Sequence, residues 1–184
     1  MPQISINSLL GHSGPNYPEA IVKPYREELQ MAGFEALLSA AAVDQALGRS
    51  DNQVTLLVLN SVCGCSARVA RPGTILSLLH DVLPDHRVTI FAGMEKEAVA
   101  HLREKYLPGL TPSSPNIALF RNGQLLHIIH RHQIEGRTAA DIAAELTAVY
   151  QQVCSKQASA QEHQLIRECF QALYQADSNY LVQE

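Results

Sequence analysis

Val54-Thr55-Leu56-Leu57-Val58-Leu59, followed at once by Asn60-Ser61-Val62-Cys63-Gly64-Cys65, is the stretch on which the reading of this 184-residue chain turns. The first six residues are β-branched or aliphatic, with no alternation of wet and dry positions. Such a run is the pattern of a central strand covered on both faces, as in a parallel or mixed sheet. A helical pattern follows from Ser66 to about Val82; Pro72 within it removes a backbone hydrogen bond and should kink it. Cys63 therefore stands where a strand ends and a helix starts. Unpaired amides and the helix dipole favour an anion there, so its thiol should ionise below the ordinary value of about 8.5. Gly64 lets the chain turn tightly and leaves the sulfur accessible, and Cys65, a step further in, is the natural resolving thiol. A disulfide between residues two apart closes a small, strained ring, which makes it easy to reduce and suits exchange chemistry.

Other readings of the two thiols stay open beside that one. Inert core cysteines fit poorly at a strand end. Metal ligation is possible for Cys-x-Cys, although zinc sites more often use Cys-x-x-Cys with a second ligand pair elsewhere. His127, His130 and His132 invite the same thought, but His127 alternates with apolar residues on a strand and reads as structural or surface.

Outward from this centre the chain alternates. A helix is expected from Pro24 to Gly33, and a second from Ser39 as N-cap to near Gly48. Downstream come a strand at Arg87–Ala92, a helix from Glu95 to Tyr106, and a Pro-, Ser- and Gly-rich stretch over 108–115. Ile117–Phe120 and Leu125–Ile129 flank Asn122-Gly123, the strongest short hairpin signal. Thr138 with Asp141 is a near capping box for a helix running to about Val153. Residues 155–160 read as a linker. Leu165, Ile166, Cys169, Phe170, Leu173 and Tyr174 then recur at helical spacing, giving a last helix over about Ala160–Gln175. Its stripe needs a surface, on this domain or on a second copy in a homodimer. The fold class is thus α/β: a central mixed sheet of about four strands flanked by helices, plus an extra C-terminal helix. The expected organisation is a tail over 1–16, a domain over 17–154 and an extension over 155–184.

Composition narrows the function. At 46% hydrophobic the chain builds one proper core, and a net charge of −4 gives no reason to expect nucleic acid or an anionic membrane as partner. The run Val54–Leu59 is far too short to span a bilayer. Met1–Asn16 holds no Lys or Arg, and Asn7 and Gly11 interrupt its apolar residues, so it does not read as a signal peptide. Four cysteines on such a chain point to reactive thiols in the cytoplasm rather than to a disulfide framework.

A buried β-α-β unit followed by a hairpin and a helix resembles the thioredoxin plan. Tyr17-Pro18-Glu19, Lys23-Pro24, Asn60-Ser61-Val62-Cys63-Gly64-Cys65, Ala70-Arg71-Pro72, Phe91-Ala92-Gly93, Pro112-Ser113-Ser114-Pro115 and Arg131-His132-x-Ile134-Glu135-Gly136-Arg137 together resemble the bacilliredoxin family, over about residues 17–154. That resemblance implies a thioredoxin-like fold and a Cys-Gly-Cys site. It further implies removal of bacillithiol from mixed disulfides on client proteins, with weak disulfide isomerase or reductase activity as the neighbouring possibility. Bacillithiol would be a co-substrate, with no metal or organic cofactor. The resemblance also makes Ser114–Pro115 a cis bond facing Cys63, where the backbone pairs with the incoming chain. Arg131, His132 and Arg137 match family positions; they either receive the carboxylates of bacillithiol or organise their own loop. Arg71 either orients the thiolate or lies on the surface. Cys154 matches a cysteine near the end of some members, and with Cys169 it falls on a helical face, where a free thiol usually packs as a small apolar residue. The longer tail and residues 155–184 depart from the family pattern.

Overall fold

The computed structural model describes residues 14–174; residues 1–13 of the expected tail over 1–16 and the chain beyond Tyr174 lie outside the described residues. Strand β2 (Val54–Asn60) is buried along its whole length. Its pleat divides the core. Leu56 and Val58 join Leu29, Ile75, Ile117 and Leu146 on one face, while Leu57 and Leu59 join Val43, Ile90, Leu102 and Phe120 on the other. Burial on both sides is what the unbroken apolar run demands. β2 pairs in parallel with β4 (His86–Phe91) and antiparallel with β5 (Asn116–Arg121). β6 (Gln124–Ile129) returns antiparallel beside β5 through Asn122 and Gly123, whose φ angles of 50° and 75° supply the paired positive values of a tight hairpin turn.

The sheet has five strands in the order β1-β4-β2-β5-β6, the edge strand β1 (Glu35–Ala36) being only two residues long. Helices α1 (Glu19–Met31), α3 (Arg71–Ser77) and α6 (Ala139–Val153) cover one face, and α2 (Ala40–Leu47) and α4 (Lys96–His101) the other. Ser39 caps α2 through the Ala42 amide, and Thr138 and Asp141 complete a reciprocal capping box at α6. The short α5 (Arg131–Ile134) follows β6, and this mixed sheet between two helical layers is the thioredoxin arrangement.

Several expectations need correction. α1 begins at Glu19 rather than Pro24, because Pro18 takes the cap position and Glu19 brings an acidic side chain to the first turn; Pro24 sits inside the helix. The helix after Cys65 ends at Ser77 rather than near Val82. Ahead of Pro72 the turn widens into a π segment, Ser66–Ala70, in which the Arg71 amide reaches back to the Ser66 carbonyl. Val82–Leu83 forms β3 instead, paired antiparallel with β7 (Lys156–Gln157) inside the expected linker. The last helix, α7 (Ala160–Tyr174), buries Ile166 and Cys169 in the core beside α3, but Leu165 remains 44% exposed on its outer side.

α3 and α6 approach closely at Gly73, where an added Cβ would lie 2.8 Å from the Ala139 carbonyl oxygen and 2.8 Å from the Ile142 Cβ. Both neighbours belong to the buried side of α6, so neither gives way freely. Gly73→Ala should therefore destabilise the fold by about 1–3 kcal/mol, read as a lower urea midpoint. An unchanged midpoint would show that the two helices can separate at little cost.

Candidate active site

The site is built around the end of β2. Asn60 is buried and donates to the Tyr25 carbonyl at 3.0 Å. Its Oδ1 accepts from the Ser61 amide at 2.9 Å, the Ser66 hydroxyl at 2.9 Å and Arg71 Nη1 at 3.1 Å. Arg71 is only 1% exposed. It donates through Nε to Glu28 at 2.6 Å and through Nη1 to the Ser61 carbonyl at 3.2 Å and the Ser66 hydroxyl at 3.2 Å. Its guanidinium also lies over the Tyr25 ring, 4.7 Å from the centroid. Strand end, loop and helix start are thereby tied to one cation.

Cys63 opens the first helical turn: its carbonyl accepts from the amides of Ser66 and Ala67, each at 3.1 Å. Its sulfur accepts from the Ser61 hydroxyl at 3.1 Å and the Ser66 amide at 3.4 Å. Burial alone would push this thiol up, but donation from Cys65, Ser61 and the Ser66 amide, with the positive charge of Arg131, outweighs it and holds Cys63 below the ordinary cysteine value. Cys65 moves the other way. Burial, its donation to Cys63 and the negative charge forming there push it up to about 11. Burial likewise raises Cys154 to about 12 and Cys169 to about 11. All four thiols are unpaired, and only Cys63 is tuned towards the thiolate.

Cys63 opens on a hollow of about 270 Å³, shared with Tyr17, Gly93, Arg103, Ser114 and Arg131. The Ser114–Pro115 bond is cis, as expected; Ser114 lines the hollow, whereas Pro115 is buried and is not among its lining residues. Arg131 lines it too, with Nε paired to Glu135 at 2.7 Å. Three expectations fail. Arg71 neither lies on the surface nor lines the hollow where a substrate would sit, because pairing with Glu28, Asn60 and Ser61 holds it under the loop. His132 stacks on His130 at 5.5 Å and faces a separate hollow with Ser113 and Leu110. Gly64 has no positive φ and nothing within 4 Å of an added Cβ, so the turn does not require glycine; what it leaves is bare surface beside the sulfur. Arg137 is anchored to Glu145 at 2.6 Å and to the Asp141 carbonyl at 2.8 Å, organising its own loop. His127 pairs with Glu145 at 2.9 Å. Among the described residues no group of three or more His, Cys, Asp or Glu is placed to hold a metal ion.

Sequence reasoning missed Arg103, whose Nε is buried without a hydrogen-bond partner among the described residues while its Nη2 lies 3.4 Å from the Ser113 carbonyl. It also missed Tyr17, packed against Gly93 where an added Cβ would meet the ring at 3.0 Å, as well as Ser61, which donates to the Cys63 sulfur, and Glu28, which accepts from Arg71. Tyr17 and Gly93 sit in stretches that carry the family likeness; Arg103 had no local signal.

Fold and site together define a thioredoxin-like protein with a thiol–disulfide oxidoreductase type of site. The family profile described as "Disulphide isomerase" matches residues 17–154. Bacilliredoxins from Salinibacter ruber and Halalkalibacterium halodurans are each 45% identical to the chain, the first over 77% of this chain and 83% of its own, the second over 76% and 95%. One from Cytophaga hutchinsonii is 47% identical over 74% of this chain and 99% of its own. This chain belongs to the bacilliredoxin family. Among solved structures, Malassezia sympodialis thioredoxin (Mala s 13) superposes with a TM-score of 0.43 at 15% identity, covering 78% of this chain and 97% of that one.

The hydrogen bond from Ser61 sets a measurable quantity. The alkylation rate of Cys63 should rise through a midpoint below about 8.5 as pH increases. Ser61→Ala should move that midpoint up, since a donor to the charged form is lost while burial remains. An unmoved midpoint would assign the effect to the helix start alone.

Proposed function

We propose that this protein strips bacillithiol from mixed disulfides on client proteins in the cytoplasm, with Cys63 as nucleophile and Cys65 as resolving thiol. The observation that carries the reading is the unequal setting of two neighbouring thiols: the Cys63 sulfur accepts from the Ser61 hydroxyl and the Ser66 amide, which favours its thiolate, while burial pushes Cys65 up. A thiolate is the attacking species, and a protonated neighbour waits without competing. The Cys63 thiolate attacks the small-thiol sulfur of the mixed disulfide. A new sulfur–sulfur bond forms as the old one breaks, and the client leaves as a thiolate. Cys65 then gives up its proton, attacks Cys63 and expels the small thiol, leaving a Cys63–Cys65 disulfide. A second bacillithiol attacking the adduct instead would regenerate Cys63 and carry off the oxidised pair.

Two features support an anionic small thiol. Arg103 and Arg131 line the hollow into which Cys63 opens, and guanidinium forks match carboxylates. Gly64 leaves the approach to the sulfur uncrowded. The description of the family profile favours a second reading, disulfide isomerisation through the same cysteines on protein substrates.

Cys63→Ser should reduce bacillithiol release from a modified client to background. Cys65→Ser should still perform the first transfer and retain the adduct, seen as a mass increase on Cys63. Arg103→Leu should raise KM for the bacillithiol-modified client about tenfold while leaving a cysteine-capped client little changed. Exchanged roles in the two cysteine variants would reverse the assignment, and equal loss on both clients would favour the isomerase.

A further inference from the structure

The bond network under Cys63 does not end at Arg71. Glu28, which pairs with Arg71 at 2.6 Å, also accepts from the Tyr174 hydroxyl at 3.0 Å. Tyr174 is on α7, beyond the matched residues 17–154, and its ring packs on Phe170 at 5.0 Å. Burial and the nearby Glu28 charge raise the Tyr174 phenol, so it remains a proton donor. The connection is continuous: Tyr174 to Glu28, Glu28 to Arg71, Arg71 to the Ser61 carbonyl, and the Ser61 hydroxyl to the Cys63 sulfur. Arg71 and Ser61 are buried, while Tyr174, Glu28 and Cys63 are half-buried; the Glu28 side chain is 18% exposed and that of Arg71 1%.

We propose that Tyr174 is a positioning residue for Cys63, through which the C-terminal helix sets the reactivity of a nucleophile it never touches. The inference rests on Cys63 being the nucleophile. Two physical effects act in the same direction. The phenol fixes one Glu28 oxygen and so the angle at which Arg71 holds the Ser61 carbonyl. It also draws carboxylate charge towards itself, leaving more of the Arg71 positive charge to act on the loop. Without the hydroxyl, Glu28 neutralises Arg71 more completely and Ser61 is held less firmly. Both changes weaken the thiolate.

The test uses the full-length chain in a Cys65→Ser background, following Cys63 alkylation by iodoacetamide against pH with the modified residue identified by mass. Tyr174→Phe keeps the ring and removes only the hydroxyl. It should move the midpoint upward and lower the rate at neutral pH about two- to threefold. Ile166→Val, which trims the same helix's core contact, should lower thermal stability yet leave the midpoint in place. A Tyr174→Phe profile that superposes on the parent overturns the proposal, as does an equal shift in Ile166→Val, which would make it general loosening. If the parent itself titrates as an ordinary cysteine, it is the reading of Cys63 that fails, and the relay falls with it.

Discussion

A guanidinium with only 1% of its surface exposed sits at the centre of this molecule, and the rest of the site follows from keeping it satisfied. A buried charge is tolerated only when its donors are paired, and the fork of arginine has donors pointing in several fixed directions. Arg71 finds Glu28 on α1, Asn60 at the end of β2, the Ser61 carbonyl in the loop and Ser66 at the helix start. Four separate parts of the chain thus share one ion. The loop between strand and helix is tied at Ser61 and Ser66, and the Ser61 hydroxyl meets the Cys63 sulfur. Acidity at Cys63 is in this sense a by-product of solving a burial problem one layer below.

Signals contained in a few neighbouring residues were legible. The run Val54–Leu59 placed the central strand, Asn122-Gly123 placed the hairpin, and Thr138 with Asp141 placed the start of α6. The strand-to-helix position of Cys63 was legible for the same reason. Elements whose stability comes from partners distant in sequence were not. β1 is two residues that form a strand only because β4 offers an edge, and β3 and β7 exist only as each other's partner. Lys156–Gln157 has the composition of a linker, and composition does not report a pairing with Val82–Leu83. One signal was present and unused: Ser159 and Glu162 cap each other at the start of α7, in the spacing of a capping box.

Within the site the division is the same. Cys63, Cys65 and the segment at Ser114 belong to recognisable short motifs. Arg103 enters the hollow from the segment after α4, brought there by tertiary packing. Arg71 was visible as a residue but not as a buried one, since nothing in Ala70-Arg71-Pro72 announces that Glu28 will come to lie against it. A charge near a reactive thiol invites direct contact with the sulfur; its deep burial places it in the framework instead, one step removed, through Ser61.

The spread of acidities among the four cysteines has a consequence for oxidative damage. Peroxide reacts with thiolate rather than thiol, so it meets one receptive sulfur here, Cys63, while Cys65, Cys154 and Cys169 stay protonated. A sulfenic acid formed at Cys63 would have the Cys65 thiol two residues away, and condensation of the two would expel water and end in a reducible disulfide. On the proposed roles, Cys65 would cut the ladder towards sulfinic and sulfonic acids at its first rung. Cys154 and Cys169, packed in the helical layer, are spared by the burial that makes them unreactive.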